Sequence, residues 1–259
     1  MPHQDDVWNP NQYEKFRAER EAPGLDLIAG IDTGVFQLGI DLGCGTGELT
    51  ALVQSALNIA EMHGIDNSES MLVKARSLET PALHFDRQPI ENFNAVAEYD
   101  LVFSNAALNW CEDHEHLLSN IVDSLRDAGQ LAIQMPANHE YPTHRIADEL
   151  GRTEPYLSAL QGEIRPTNVR SPTWYETTLN RLGISQHRVE LKTYTHTLES
   201  REHVIEWVKG TLLTWYESRL TPEMYGRFIA EYRRRLFAEL PDDRPFQYPF
   251  KRLFIWGRK

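Results

Sequence analysis

Residues 36–47 read Phe36-Gln37-Leu38-Gly39-Ile40-Asp41-Leu42-Gly43-Cys44-Gly45-Thr46-Gly47, and this stretch decides the fold. Its first seven positions read as a buried strand, ended by a glycine cluster. From Thr46 to Ala56, Leu49, Leu52, Val53 and Ala56 recur at helical spacing. A strand, a glycine turn and a helix in that order open a βαβ unit. Glycines permit the tight turn and let a ligand approach the backbone, while the helix N-terminus supplies N–H donors. The spacing is G-x-G-x-G, not the G-x-G-x-x-G of dinucleotide sites, and no Lys-Ser/Thr follows as in a phosphate-binding loop. An NAD-dependent dehydrogenase is therefore a weak reading. Asp41 lies on the strand just ahead of the glycines, where a carboxylate suits a cationic group such as an ammonium. A bare strand–helix turn is the plain alternative, and three glycines in five residues count against it.

Outward from the loop, short apolar runs alternate with helical patterns, the mark of a parallel sheet. Glu61–Ile65 is a second strand, followed by a helix from Ser68 with Met71, Leu72 and Ala75 on one face. Ala82–Phe85, Tyr99–Ser104 and Gln130–Met135 are further strands, with a helix over His114–Leu125 and a turn at Asp127–Gly129. After Pro136 the alternation stops, and residues 137–170 read as an insertion around one short helix. A helix at Thr173–Leu182 leads to a long strand, Ile184–His196. Helices at Arg201–Thr214 and Pro222–Leu240 precede a last strand, Arg252–Gly257. The fold class is α/β: a doubly wound core with a helical cap. The expected segments are 1–30 (N-terminal helical segment closing over the site), 31–136 (cofactor-binding core), 137–170 (insertion), 171–198 (core continued), 199–245 (helical cap) and 246–259 (last strand). Asp66 closes the second strand, about 20 residues beyond the glycine turn, where doubly wound folds place an acid on ribose hydroxyls. Helix capping is its alternative role, which Asn67 or Ser68 can equally fill.

The 259 residues carry a net charge of −12, with 41% hydrophobic residues, an ordinary globular composition that excludes disordered and collagen-like readings. Acidity disfavours sequence-independent nucleic-acid binding. No apolar run approaches the ~18 residues of a membrane span, and the first residues show no signal-peptide pattern. With Cys44 and Cys111 alone there is no disulfide framework, so a reducing, cytoplasmic location is the default; the oligomeric state stays open, with a monomer as its default. The charge is uneven: residues 1–200 hold 14 Lys/Arg against 30 Asp/Glu, and residues 201–259 hold 12 against 8. The second segment is either a positive lid or a solvated helix face.

Motif by motif, Asp41-Leu42-Gly43-Cys44-Gly45-Thr46-Gly47 and Asp66 resemble the first two motifs of the class I S-adenosylmethionine-dependent methyltransferases. The resemblance implies a Rossmann-like, mostly parallel seven-stranded sheet with an antiparallel last strand. It implies S-adenosyl-L-methionine as cofactor and S-adenosyl-L-homocysteine as product. Gly43, Cys44, Gly45 and Gly47 would hold the methionyl portion, and Asp66 with Asn67 the ribose. Where the family commonly places an aspartate after the third strand, this chain has Pro89, so adenine falls to Gln88, Ile90 and Met71. Asn105, Ala106 and Trp110, after the fourth strand, complete the implied cofactor set.

A closer resemblance, to the trans-aconitate methyltransferase group, rests on Trp8-Asn9-Pro10-Asn11-Gln12-Tyr13, on Ser104 to Trp110 with Asp113-His114, on Gln134 to Asn138, on Pro142-Thr143-His144 and on Glu206-Trp207-Val208. It implies transfer of a methyl group to one carboxylate of a small acid. Such a nucleophile is already ionised at pH 7 and needs no general base. Alignment of oxygen, methyl carbon and sulfur then supplies the rate, so neither a triad nor a metal site is expected. Asn105, Trp110 and His144 are the candidate positioning residues. Trp8, Tyr13, Arg17, Asn138, His144 and Arg145 are the candidate donors and walls for the acceptor. The cap stretch Gly210–Tyr216 lacks an arginine that related sequences carry, leaving Arg219 or Arg227 as substitutes. The rivals are a methyltransferase for a hydroxyl, amine or acyl-thioester acid, and a cofactor-binding protein without turnover.

Overall fold

The computed structural model describes residues 17–259, with side chains from residue 22 onward. Helix α1 (Arg17–Ala29) precedes β1 (Leu38–Leu42), α2 (Glu48–Leu57), β2 (Glu61–Asp66), α3 (Glu69–Ala75), β3 (Leu83–Arg87) and β4 (Tyr99–Asn105). Then come α4 (His114–Ser124), β5 (Leu125–Pro136), α5 (Pro142–Gly151), α6 (Tyr156–Ala159), α7 (Pro172–Arg181) and β6 (Gln186–Leu198). The chain ends with α8 (Glu202–Lys209), α9 (Thr214–Glu217), α10 (Pro222–Glu239) and β7 (Phe246–Arg258). The sheet order is β3-β2-β1-β4-β5-β7-β6. The β1, β2, β3, β4 and β5 ladders are parallel, and β7 runs antiparallel to β5. The seven-stranded doubly wound sheet with its reversed strand is thus the fold of this chain.

Sequence patterns explain most boundaries. Ser68, Asp113, Ser171 and Thr221 each accept a backbone N–H from the first turn of the following helix. Two of them are followed by a proline, whose missing N–H costs nothing at a first helical position. Four expectations need correction. β5 starts at Leu125 rather than Gln130, because the Asp127–Gly129 turn is absorbed as a register shift opposite Tyr99 and Leu101, with Ala128 at φ 65°. β7 starts at Phe246 rather than Arg252, since Phe246, Tyr248 and Phe250 alternate with exposed or half-buried neighbours and bury every second side chain. The insertion holds two helices, α5 and α6, and the expected helix 201–214 stops at Lys209.

Beyond residue 20 the chain divides into two compact units. The sheet unit comprises residues 20–137, 168–192 and 252–259; the helical unit comprises 138–167 and 193–251. In the sheet unit Leu42, Leu101, Val102, Phe103, Leu131 and Ile133 are fully buried, as strands covered on both faces require. The helical unit is centred on Phe228, which stacks on Tyr216 at 4.6 Å and meets Tyr156 edge-on at 5.1 Å. Arg165 there grips both oxygens of Asp148 at 2.8 and 2.9 Å, and Tyr216 donates to the same carboxylate at 2.9 Å. Many cations of residues 201–251 pair with local acids: Arg201 with Asp242, Lys209 with Glu206, Arg219 with Glu163, and Arg234 and Arg235 with Glu231. Much of the positive charge in that segment is therefore neutralised where it stands. Phe228→Ala empties the centre of the helical unit and is expected to cost ~3–5 kcal/mol in urea denaturation; an unchanged midpoint would show that the ring carries no packing energy.

Candidate active site

Strand order reverses between β1 and β4, and the crevice at their C-terminal ends is where open α/β sheets bind ligands. The glycine loop is tied to the end of β2. Gly43 and Cys44 both donate their N–H to Ile65 O, at 2.8 and 3.0 Å, and Gly45 N–H donates to Asp66 Oδ2 at 2.9 Å. The other oxygen of Asp66 accepts from Ser68 N–H at 2.8 Å. Asp66 is thus a prop for the loop, while Ser68 fills the helix cap. Gly43, Gly45 and Gly47 all have positive φ, and two of them show opposite needs. A Cβ on Gly43 would stand 2.2 Å from Ala107 Cβ, whereas one on Gly45 would meet nothing within 4 Å. Gly43 is there for close packing; Gly45 faces open space, where a ligand can lie against the backbone.

The loop after β3 joins this arrangement through Gln88 N–H, which donates to Asp66 O at 3.0 Å. Ile90 begins the short turn Ile90–Asn92 and lies beside Gly43. Met71 sits half-buried on the first turn of α3, its N–H capped by Ser68. Asn67 is exposed and its carbonyl accepts from Arg87. Cys44 is buried, which together with Asp41 and Asp66 drives its thiol far above its ordinary value, so it is no nucleophile. Ser104 donates to Leu42 O at 2.6 Å and pins β4 to β1. Beyond it Asn105 presents a buried Oδ1 with no donor, Ala106 takes φ 57°, and Trp110 is 55% exposed.

Asp41 is 2% exposed, accepts from Thr50 Oγ1 at 2.7 Å, and keeps a second oxygen, Oδ1, without a partner. Burial pushes its carboxyl up to about 7, against the Thr50 hydrogen bond and with help from Asp66. Two orphaned acceptors, on Asp41 and Asn105, beside an open glycine backbone fit a ligand bearing a positive charge.

The acceptor candidates fall elsewhere in the chain. Trp8 and Tyr13 lie outside the described residues, as does the side chain of Arg17. Asn138, His144 and Arg145 belong to the helical unit. Asn138 is committed on both sides of its amide: Oδ1 accepts Lys251 N–H at 3.0 Å, and Nδ2 donates to Tyr248 at 3.4 Å. Arg145 forms ion pairs with Glu149 at 2.9 Å and with Glu239. His144 touches Thr143 Oγ1 at 3.0 Å; desolvation, then Arg165 and His139, push it down to about 3, so it is neutral at physiological pH. Sequence reasoning gave no sign that Gln134 and Arg252, polar residues inside apolar strands, are buried. Their signal, a polar residue at a buried strand position, is visible only once the register is known. Among the described residues no cluster of His, Cys, Asp and Glu could hold a metal.

A doubly wound sheet with one reversed strand, a G-x-G-x-G loop at its switch point and an acid closing the second strand defines an S-adenosylmethionine-dependent methyltransferase. Comparison with known proteins agrees. Residues 39–178 match a family model described as a methyltransferase domain. The chain is 38% identical over 259 residues to a trans-aconitate 2-methyltransferase of Deinococcus radiodurans, covering 97% of this chain and 98% of the relative. It is 33% identical over 258 residues to one of Escherichia coli, with the same coverage. Among solved structures, YcgJ of Bacillus subtilis matches with a TM-score of 0.61 at 14% identity, over 92% of this chain and 98% of that one. Haemonchus contortus phosphoethanolamine N-methyltransferase 2, solved with S-adenosyl-L-methionine, gives 0.53 at 18% identity, over 92% and 52%. The chain belongs to the methyltransferase-domain family and, within it, to the trans-aconitate 2-methyltransferase family.

Two measurements follow from the loop. Gly43→Ala forces the loop away from Ala107 and is expected to weaken S-adenosylhomocysteine binding at least tenfold by calorimetry, and wild-type affinity would contradict the packing role. Asp41 also sets a pH dependence. Folded, it titrates near 7 instead of 3.8, so its contribution is full below 3.8 and is lost as pH rises through 7. Asp41→Asn is expected to remove a decline of ~4 kcal/mol between pH 4 and 7 from the ligand-free protein. A decline of equal size in both proteins would place the titration elsewhere.

Proposed function

We propose that this methyltransferase esterifies one carboxylate of trans-aconitate, giving a monomethyl ester and S-adenosylhomocysteine. The observation that carries the reading is similarity over 97% of the chain to relatives of that name, at 38% and 33% identity. Gly43, Cys44, Gly45 and Gly47 hold the methionyl portion, Asp66 and Asn67 the ribose, and Met71, Gln88 and Ile90 the adenine. When bound, the cofactor supplies an electrophilic methyl group on a sulfonium. Asp41 and Asn105 place uncompensated oxygens beside it, which favours a cation and fixes its orientation. Asn105 ends β4 at the switch point, Ala106 follows it, and the two set where the acceptor oxygen stands. Trp110 forms a wall that excludes water.

Because the acceptor carboxylate is already anionic near neutral pH, no side chain has to remove a proton. The high-lying Cys44 thiol accords with a site that works by alignment, which can lower a barrier by ~7–11 kcal/mol. We place the reaction in a reducing cytoplasm with a small soluble acid as partner, a reading supported by two buried, unpaired thiols. Among the described residues no helix is long and apolar enough to cross a membrane. Incubation with methyl-labelled cofactor and a panel of acids, alcohols and amines tests the acceptor. Base-labile label on trans-aconitate is expected; transfer only to a hydroxyl or amine would overturn it.

A further inference from the structure

The short turn Leu108–Trp110 follows β4 and carries Trp110, a ring that is 55% exposed. Exposed side chains ordinarily exchange rotamers freely. This one is tied to its own turn. With the Asn109 amide set so that Nδ2 donates to Ala106 O at 3.0 Å, its Oδ1 accepts from Trp110 Nε1 at 3.2 Å. The orientation of the indole therefore follows the position of the turn. Side chains from two directions fix that position. Leu108 O accepts Cys111 N–H at 3.0 Å, which closes the turn, and His114 Nε2 at 2.9 Å, which ties it to the start of α4. Asn168 Nδ2 donates to the next carbonyl, Asn109 O, at 3.3 Å. All of these residues belong to the sheet unit.

His114 is itself held from behind. Its Nδ1 lies 2.5 Å from the Tyr175 hydroxyl, and that hydroxyl accepts Arg170 N–H at 3.3 Å. Both rings are buried. The roles of the atoms follow from their partners. A carbonyl only accepts, so His114 Nε2 carries the proton and donates to Leu108 O. Burial pushes the Tyr175 hydroxyl up to about 12, so it keeps its proton and donates to Nδ1. The imidazole is thus a neutral ring locked in one tautomer. Burial lowers its pKa, against the Leu108 hydrogen bond, and the Arg170 charge lowers it further. Its place at the first position of α4, beside the positive end of the helix dipole, also disfavours a cation. Cys111 already satisfies the Leu108 carbonyl and closes the turn, so a buried imidazole is not needed for either. What His114 adds is a lateral tie between the turn and α4.

We infer that His114, braced by Tyr175, is a positioning residue for methyl transfer: it holds the Leu108 carbonyl and thereby sets where Trp110 stands as a wall of the crevice. The inference rests on the proposed role of Trp110 in that reaction. In a site that works by alignment, a displacement of ~1 Å can cost about a hundredfold in rate, so one hydrogen bond to the turn is enough to matter. Two amide variants separate the tie from the packing. His114→Gln reaches the place of Nε2 and keeps a donor for Leu108 O. His114→Asn reaches only the place of Nδ1, keeping a partner for Tyr175 and losing the tie. Turnover is measured with labelled S-adenosylmethionine and trans-aconitate, S-adenosylhomocysteine binding by calorimetry, and folding by thermal denaturation. Fluorine NMR of fluorotryptophan-labelled protein reports on Trp110, whose resonance is the one missing from Trp110→Phe. His114→Asn is expected to lower kcat by about tenfold or more and to move the Trp110 resonance, with S-adenosylhomocysteine bound within about twofold of wild type. His114→Gln is expected to return both towards wild type. If His114→Asn does not fold, Tyr175→Phe, which removes one hydroxyl, takes its place with changes in the same direction. Equal effects of the two folded amide variants, or a Trp110 resonance that none of the variants moves, would overturn the inference. Wild-type protein that turns over no trans-aconitate refutes the acceptor reading alone and leaves the Trp110 resonance to decide on His114.

Discussion

The site depends on the fastening of the glycine loop to the end of β2. Three consecutive N–H groups, of Gly43, Cys44 and Gly45, are spent on Ile65 O and Asp66 Oδ2. That fastening fixes Gly45 facing open space and brings the loop after β3 into reach, because Gln88 bonds the Asp66 carbonyl. Asp66 thereby serves two surfaces at once. Its carboxylate accepts from the loop and from Ser68, and its remaining lone pairs are available to ribose hydroxyls.

A second constraint is electrostatic. Asp41 is buried beside Asp66 and raised to about 7, so the ligand-free protein holds a carboxylic acid that is only partly ionised near neutrality. A cationic ligand favours the ionised form, and by linkage the ionised form favours the ligand. The acidity of residues 1–200 thus has a local meaning at the crevice. The expected positive segment has less, since its arginines and lysines are largely tied to neighbouring carboxylates.

How far the sequence could be read follows from the range of each interaction. The G-x-G-x-G loop, Asp66, the βαβ alternation and the capped helices are local patterns, and each lies where its residues suggest. The early start of β5 escaped because a Asp127–Gly129 turn signal lies inside the strand and the ladder shifts around it. Phe246–Lys251 escaped because Pro249 interrupts an alternating pattern. The ion pairs of Arg145 were not legible either, because Glu239 is distant in sequence and lies on α10. The brace from Tyr175 through His114 to Leu108 is legible only in three dimensions, since Tyr175 lies far from His114 in sequence.

The measurement that bears most directly on this account is calorimetric titration of Asp66→Ala, Glu91→Ala and wild type with S-adenosylhomocysteine. Asp66 holds the loop and is the proposed ribose ligand, whereas exposed Glu91 lies in the turn after β3 and has no part in that fastening. At least tenfold weaker binding is expected in Asp66→Ala, with Glu91→Ala within twofold of wild type. Equal affinities in all three proteins would contradict the central claim.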